Sequence, residues 1–337
     1  MADVLILGGT RNLGHFTALS LLEAGHRVAI LNRGVTADEL PEAVERLRAD
    51  RADTASVAGA VKSRSFDLVL DTTTYTAADA RQAVSVFGGR AGRYVFVSSG
   101  QVYLVRENVP RPFREDDYAG AVMPEPQSPS IDHDGWIYGV EKRDAEDVFD
   151  CAWHDSAFPL TTLRLPMVAS ERDDRGRIQA YIARILDDGP VVLPDDPGLP
   201  LRHVYVRDVA RLVTGLVKSD APVGRAYNIS WGASMTLDRF IEILAALTGR
   251  DPGVRRLSRK RLESDELLPS CSPFSGRWMS ELDNRRSLHE LACAGIEYTA
   301  PDEYLPALIE DYRTRWIPAG MVPAGYQQRE RELSASR

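Results

Sequence analysis

The chain of 337 residues is 44% hydrophobic and 27% charged, with a formal net charge of −8, so it carries enough apolar material for a sizeable core and is neither disordered nor fibrous. That acidic balance gives no basic footprint for nucleic acid or for an anionic membrane, and no stretch approaches the roughly 20 apolar residues of a membrane span. Three scattered cysteines, Cys151, Cys271 and Cys293, make neither a disulfide framework nor a zinc site, and no metal is expected. With no basic region ahead of its first apolar run, the chain is expected to be soluble and cytoplasmic.

In chain order, residues 4–7 form a short apolar run that Gly8 and Gly9 break. Leu13, Leu19, Leu21 and Leu22 then recur at helical spacing as far as Gly25, and residues 28–31 read as a second buried strand. Strand, glycine turn, helix and strand fill the first ~30 residues, the size of a parallel βαβ unit. A helix is expected between Arg33 and Asp50, followed by buried strands at 68–70 and 94–97, each preceded by a helical stretch. The alternation predicts an α/β fold with a Rossmann-like doubly wound parallel sheet. From Leu104 to Gly135 the pattern dissolves into Pro, Asp, Glu and Arg, which reads as a long loop over the site. Residues 138–150 look helical, 160–165 form a strand, and 178–186 a helix that stops at Asp187-Asp188-Gly189-Pro190. After a turn-rich crossing come a strand at 203–206, a helix at 208–217, a strand at 226–229, a helix at 237–247 and a last helix near 305–316. These elements divide into a dinucleotide-binding domain (1–165 with 201–230), a smaller C-terminal substrate lobe (166–200 with 231–325) and a frayed tail (326–337).

Gly8-Gly9-Thr10-Arg11-Asn12-Leu13-Gly14 lies between the first strand and the first helix, where a glycine-rich turn lets backbone approach a pyrophosphate at a helix N-terminus. The second strand ends in Asn32-Arg33, where an acidic residue would accept hydrogen bonds from the ribose of NAD. A guanidinium there suits a 2′-phosphate, with Arg11 as a second cation, so NADP is favoured over NAD. The alternative is a solvated Arg33 with Asn32 alone bonding the ribose of NAD. Asp50 is a candidate for the adenine amino group.

Tyr138 and Lys142 stand four residues apart and share a helix face. An ammonium nearby favours phenolate, as does the positive ring of an oxidised nicotinamide, so Tyr138 can act as a general base while Lys142 also bonds the nicotinamide ribose. The same spacing also describes an exposed aromatic beside a surface lysine. Support comes from residues 97–103, where an apolar strand ends in Ser98-Ser99 at the carboxyl edge of the sheet; Ser99 can bond a substrate hydroxyl, or simply cap the next turn. Ser99, Gln101, Tyr138 and Arg202 are the candidate substrate contacts.

Taken in order, Gly8 to Gly14, Ser98 to Tyr103 and Tyr138 to Lys142 resemble the three motifs of the extended short-chain dehydrogenase/reductase family, often labelled NAD-dependent epimerase/dehydratase. Arg164-Leu165-Pro166, Val206 to Ala210, Tyr227-Asn228-Ile229 and Asp283 to Arg286 also fall where members carry similar segments, so the likeness covers most of the chain. It implies that Ser99, Tyr138 and Lys142 are a catalytic triad, that Arg202 is the nearest counterpart of a diphosphate-gripping arginine, and that two copies can pair as a homodimer. Arg11 replaces the usual middle glycine, as in a subgroup that also favours Asn-Arg-Gly after the second strand, which strengthens the expectation of NADP(H). Gly100 and Gln101 stand where eliminating members carry an acid, so a 4,6-dehydratase mechanism is not expected. Met167 replaces an asparagine that helps epimerases hold a sugar nucleotide, and Arg202 sits one residue closer to Asp208 than usual; both depart from a standard UDP-sugar site. The resemblance therefore implies an NAD(P)-dependent sugar or sugar-nucleotide epimerase that passes through a keto intermediate. The alternative is an NADPH-dependent reductase of a keto-sugar or other small ketone. A third reading, an RNA-binding member, follows from chloroplast stem-loop-binding proteins in the Gly-Gly-Thr-Arg subgroup; the acidic total argues against it, and neither nucleic acid nor membrane is an expected partner.

Overall fold

The computed structural model describes residues 1–187, 190–196, 200–264 and 273–321; Cys271 and the expected tail at 326–337 lie outside the described residues. The strands are β1 (Asp3–Leu7), β2 (Arg27–Asn32), β3 (Glu45–Arg48), β4 (Phe66–Asp71), β5 (Ala91–Ser99), β6 (Leu160–Leu165), β7 (Met167–Ala169), β8 (Val191–Pro194), β9 (His203–Tyr205), β10 (Arg225–Asn228) and β11 (Val254–Leu257). Seven of them form one sheet in the order β10-β6-β5-β4-β1-β2-β3, with every pairing parallel. The remaining four make two parallel pairs, β11 with β8 and β7 with β9.

Helices α1 (Asn12–Glu23), α2 (Thr54–Val61), α3 (Ala77–Phe87), α4 (Gln101–Leu104) and α5 (Ile131–Ser156) connect the first six strands. They are followed by α6 (Arg177–Leu186), α7 (Val206–Leu216), α8 (Leu237–Thr248), α9 (Arg259–Ser264), α10 (Arg285–Glu290) and α11 (Pro301–Asp311). The inner strands read as continuous apolar runs because helices cover both faces of the sheet. Side chains alternate between the faces: Leu5, Leu7, Val69, Tyr94 and Phe96 pack with Val57, Ala83 and Phe149 on one side. Ile6, Ile30, Leu68, Leu70 and Val95 pack on the other with Leu13, Phe16, Val209 and Val213. The second cluster runs on without a break into Tyr181, Phe240 and Leu305, so the sheet and the C-terminal elements share a core.

Two expectations need correction. No helix forms between Arg33 and Asp50. Residues 33–44 are irregular and lead into the edge strand β3, because Arg46 folds its guanidinium onto Asp38 and the carbonyls of Leu40 and Pro41, replacing the backbone partners a helix would supply. The helix that carries Tyr138 is also longer than expected. It starts at Ile131, where the Ser130 hydroxyl caps it by accepting from the His133 N–H at 3.0 Å. What precedes it is an ordered strap rather than a free loop, pinned by bridges between Arg106 and Val122 and between Phe113 and Leu282.

The strap, α5, β6 and β10 are joined by a buried polar network. Arg164 pairs with Glu146 at 2.6 Å, with side chains only 5% and 7% exposed, and donates to the Tyr103 hydroxyl at 2.7 Å. Tyr103 donates to Asn228 Oδ1 at 2.8 Å, and the Asn228 N–H donates to Glu115 at 2.9 Å. Removing one member of a buried ion pair strands the other charge. The substitution Arg164→Met is therefore expected to cost about 3–5 kcal/mol of unfolding free energy, read by urea denaturation, and adding Glu146→Leu should restore most of it.

Candidate active site

Gly8 and Gly9, at φ +104° and +93°, carry the chain from β1 into α1. A Cβ on Gly14 would lie 2.7 Å from Gly9 Cα, so the turn can close on the helix only with glycine there. The N-cap residue Arg11 offers no side-chain cap, and the first-turn N–H groups of α1 have no side-chain partner. Asn12 turns at φ +39° and leaves Oδ1 buried without a partner, while Leu13 points into the core. Free N–H donors at a helix start suit a pyrophosphate, and the orphaned acceptor suits a sugar hydroxyl, so the residues present fit a dinucleotide.

At the end of β2, Asn32 Oδ1 accepts from the Gly34 N–H at 2.8 Å and from Arg48, and its Nδ2 donates to the Gly8 carbonyl at 3.3 Å. Arg33 is exposed and makes no hydrogen bond or ion pair among the described residues. Arg11 is engaged with Asp174 at 2.9 Å and with Thr36 at 3.1 Å. Asp50 is exposed just beyond β3, where its carboxylate accepts from the Ala52 N–H at 3.0 Å within a turn.

Ser99 is the last residue of β5; its hydroxyl accepts from the Gln101 N–H at 3.2 Å and is close enough to the Tyr138 phenol to favour its ionised form. The Gln101 amide donates to the Gly135 carbonyl at 3.1 Å, tying α4 to α5. Lys142, one turn after Tyr138, is 3% exposed and donates to the carbonyls of Thr74 at 2.6 Å and Val97 at 3.0 Å. Its Nζ lies 6.0 Å from the Tyr138 ring centroid and 4.8 Å from that of Tyr75. Burial pushes the Lys142 ammonium down to about 8, against the opposing pull of Asp71, Glu146 and Asp79. Burial also raises the Tyr138 phenol above its ordinary value, outweighing the nearby Ser99 hydroxyl and the charges of Arg175 and Arg177. The sequence led us to expect a phenol poised to ionise; in the structure, desolvation holds the proton on.

Several residues escaped the sequence reading. Asp71, at the end of β4, is fully buried and accepts from the Thr73 and Thr74 N–H groups at 2.8 and 3.0 Å and from the hydroxyls of Thr74 and Tyr94, which fixes the loop that holds Lys142. Burial alone would raise this carboxyl, but Arg51 at 2.7 Å holds it below the usual carboxylate range. Tyr75, 49% exposed, sets its ring 6.4 Å from that of Tyr138. The run Asp71-Thr72-Thr73-Thr74 after an apolar strand repeats the signal of Ser98-Ser99 and was the available clue. Arg202 bonds none of the trio: it donates to Ser234 and to the Leu282 carbonyl, both at 2.8 Å, and lies 3.5 Å from Glu281. No cluster of metal-ligating side chains and no helix long and apolar enough to cross a membrane occurs among the described residues.

A family model, the NAD dependent epimerase/dehydratase family, matches residues 74–230. A 2'-dehydrokanamycin reductase of Streptomyces kanamyceticus is 27% identical over 225 residues, 66% of this chain and 59% of the relative. The chloroplast stem-loop binding protein of 41 kDa b of Arabidopsis thaliana is 28% identical over 120 residues, 32% of each chain. Both matches span less than two thirds of the curated relative. Among solved structures, the UDP-glucose 4-epimerase of Thermus thermophilus in complex with NAD superposes with a TM-score of 0.69 at 20% identity, covering 93% of this chain and 99% of that one. The family match over residues 74–230 and the shared fold make this chain similar to members of the extended short-chain dehydrogenase/reductase, or NAD-dependent epimerase/dehydratase, family.

The depressed Lys142 has a consequence for stability. Between about pH 8 and pH 10.5 the unfolded chain keeps a proton that the folded chain has lost, so this group's contribution to stability rises with pH. Relative to Lys142→Met, the wild-type chain is expected to gain up to ~3 kcal/mol of unfolding free energy between pH 7 and pH 10.5, measured by urea titration.

Proposed function

We propose that this chain is an NADP(H)-dependent reductase that converts a ketone on a sugar or similar small polyol into a secondary alcohol. The observation that carries the reading is the meeting of Ser99, Tyr138 and Lys142 at the carboxyl edge of the sheet, beside the glycine cradle. When bound, the nicotinamide supplies hydride to the carbonyl carbon. Tyr138 gives its proton to the carbonyl oxygen as that oxygen gains charge, and Ser99 donates a hydrogen bond to the same oxygen. Lys142, held by the Thr74 and Val97 carbonyls, stabilises the phenolate left behind. Hydride on carbon and proton on oxygen complete the alcohol.

Three features favour reduction. A phenol raised by burial starts the cycle protonated, as a proton donor must. The curated relative with the longer match is named as a reductase. Arg202 has its Nε and Nη1 engaged by Ser234 and Leu282 and its charge partly met by Glu281, which favours a substrate smaller than a sugar nucleotide.

The second reading is an epimerase, favoured by the near full-length match to a UDP-glucose 4-epimerase fold. It would use the same three residues in both directions and keep its cofactor through turnover.

Denaturing the purified protein and identifying any released nucleotide by mass and absorbance separates the two. The reductase is expected to emerge empty and to oxidise NADPH when offered ketoses. A near-stoichiometric retained NAD(P)+ would replace that reading with the epimerase. In either case Tyr138→Phe is expected to abolish turnover, and Ser99→Ala to lower kcat by about 10²–10⁴-fold, with dinucleotide binding unchanged in a fluorescence titration. Full activity in Tyr138→Phe would sink the mechanism.

A further inference from the structure

We propose that Arg48, at the carboxyl end of β3, is the principal cation for a 2′-phosphate on the adenosine ribose, and that Gly34 lets it lie across the end of β2. The inference rests on the dinucleotide reading above and assigns its selectivity to residues outside the glycine turn. In the parallel register of β2 and β3, Asn32 is paired with Arg48, so the two side chains stand side by side on the edge where a bound ribose would lie.

Asn32 is the residue that would otherwise serve NAD. Its Oδ1 has two lone pairs, and both are in use, one by the Gly34 N–H at 2.8 Å and the other by Arg48. A free 2′-hydroxyl seeking an acceptor finds neither a carboxylate nor an available amide oxygen at that position. The same two bonds fix the guanidinium, because Asn32 is itself anchored to the Gly8 carbonyl at 3.3 Å.

Charge balance points the same way. Neighbouring arginines are neutralised: Arg11 by Asp174, Arg46 by Asp38, Arg51 by Asp71. Among the described residues no carboxylate pairs with Arg48 or Arg33, and both are exposed. Two guanidinium groups without an ion-pair partner, at the neighbouring ends of β2 and β3, match a phosphomonoester, whose oxygens take bidentate bonds from planar N–H forks.

Gly34 completes the arrangement. It sits at φ +75°, and a Cβ there would lie 2.9 Å from Arg48 Nε and 3.1 Å from its Cδ. Any larger residue would push Arg48 off Asn32.

The test is a fluorescence titration of the purified protein with NADPH and with NADH, with melting temperatures recorded for each variant. Wild type is expected to bind NADPH the more tightly. Arg48→Gln should weaken NADPH by about 10–100-fold and NADH by less than about twofold, since a hydrogen bond to a charged group is lost. Gly34→Ala should shift selectivity the same way, Arg33→Ala should do so to a smaller degree, and Arg48→Lys should fall between wild type and Arg48→Gln. Equal losses for both dinucleotides in Arg48→Gln, or no loss for either in a folded variant, would overturn the assignment. If Gly34→Ala leaves NADPH binding intact, its positioning role is wrong. A wild-type protein that binds neither dinucleotide would instead remove the oxidoreductase reading itself.

Discussion

Lys142 carries its ammonium into the sheet with only 3% of its surface exposed, and among the described residues no carboxylate touches it. Burying a charge without a counterion is costly, and the structure offsets that cost with dipoles. Carbonyls from Thr74, just past β4, and from Val97, in β5, accept two of its three N–H bonds. Three carboxylates, Asp71, Glu146 and Asp79, lie within electrostatic range, but the first two are already paired, with Arg51 and Arg164, and Asp79 caps the start of α3. The ammonium is therefore held by a rigid frame that does not neutralise it. An unneutralised charge in a dry setting acts strongly on whatever enters next to it. In the proposed reduction the entering group is the phenolate of Tyr138.

That frame explains why so much of the polar interior sits under the carboxyl edge. Asp71 shapes the Thr72–Thr74 loop through the N–H groups of Thr73 and Thr74, so the Thr74 carbonyl is fixed where Lys142 needs it. Glu146 lies on α5 one turn beyond Lys142 and binds the Ser98 hydroxyl as well as Arg164. Positions 138, 142 and 146 thus form one stripe of a single helix that touches substrate space, sheet edge and core in succession. A shift of α5 along its axis would disturb all three at once. The strap, the cap at Ser130 and the Arg164 network all oppose such a shift.

What the sequence made legible follows from how local each signal is. The turn from Gly8 to Gly14 combines glycine chemistry with a helical apolar period, and both survive in the structure as read. Ser99, Tyr138 and Lys142 are each placed by one element whose pattern is plain. Arg48 was hidden because the stretch before it was read as helix, whereas Arg46 makes tertiary bonds that no local pattern announces. The start of α5 was obscured by Gly135, which lowers helix propensity but does not override a serine cap, the first-turn Asp132 and Asp134, and packing. Asp71 and Arg51 are 20 residues apart and meet only when β3 and β4 join one parallel sheet with their carboxyl ends on the same edge. Long-range ion pairs of this kind leave no periodic trace.

The phenol's state connects geometry to direction. Burial holds the Tyr138 proton on, and Arg175 and Arg177 only partly counter it. A reduced nicotinamide is uncharged and leaves that balance alone, so the phenol waits as an acid. An oxidised nicotinamide adds a positive charge and pulls the phenol toward phenolate, the form that accepts a hydroxyl proton. The same three side chains can therefore serve reduction or oxidation, with the redox state of the ring setting which protonation state is ready. An enzyme that exchanges its dinucleotide each cycle and starts from the reduced form uses the first state; one that retains the oxidised form uses the second. The proposed selectivity for a 2′-phosphate bears on that choice, because Arg48, on the edge strand β3, and Arg33, just past β2, are both exposed to solvent rather than enclosed within the core.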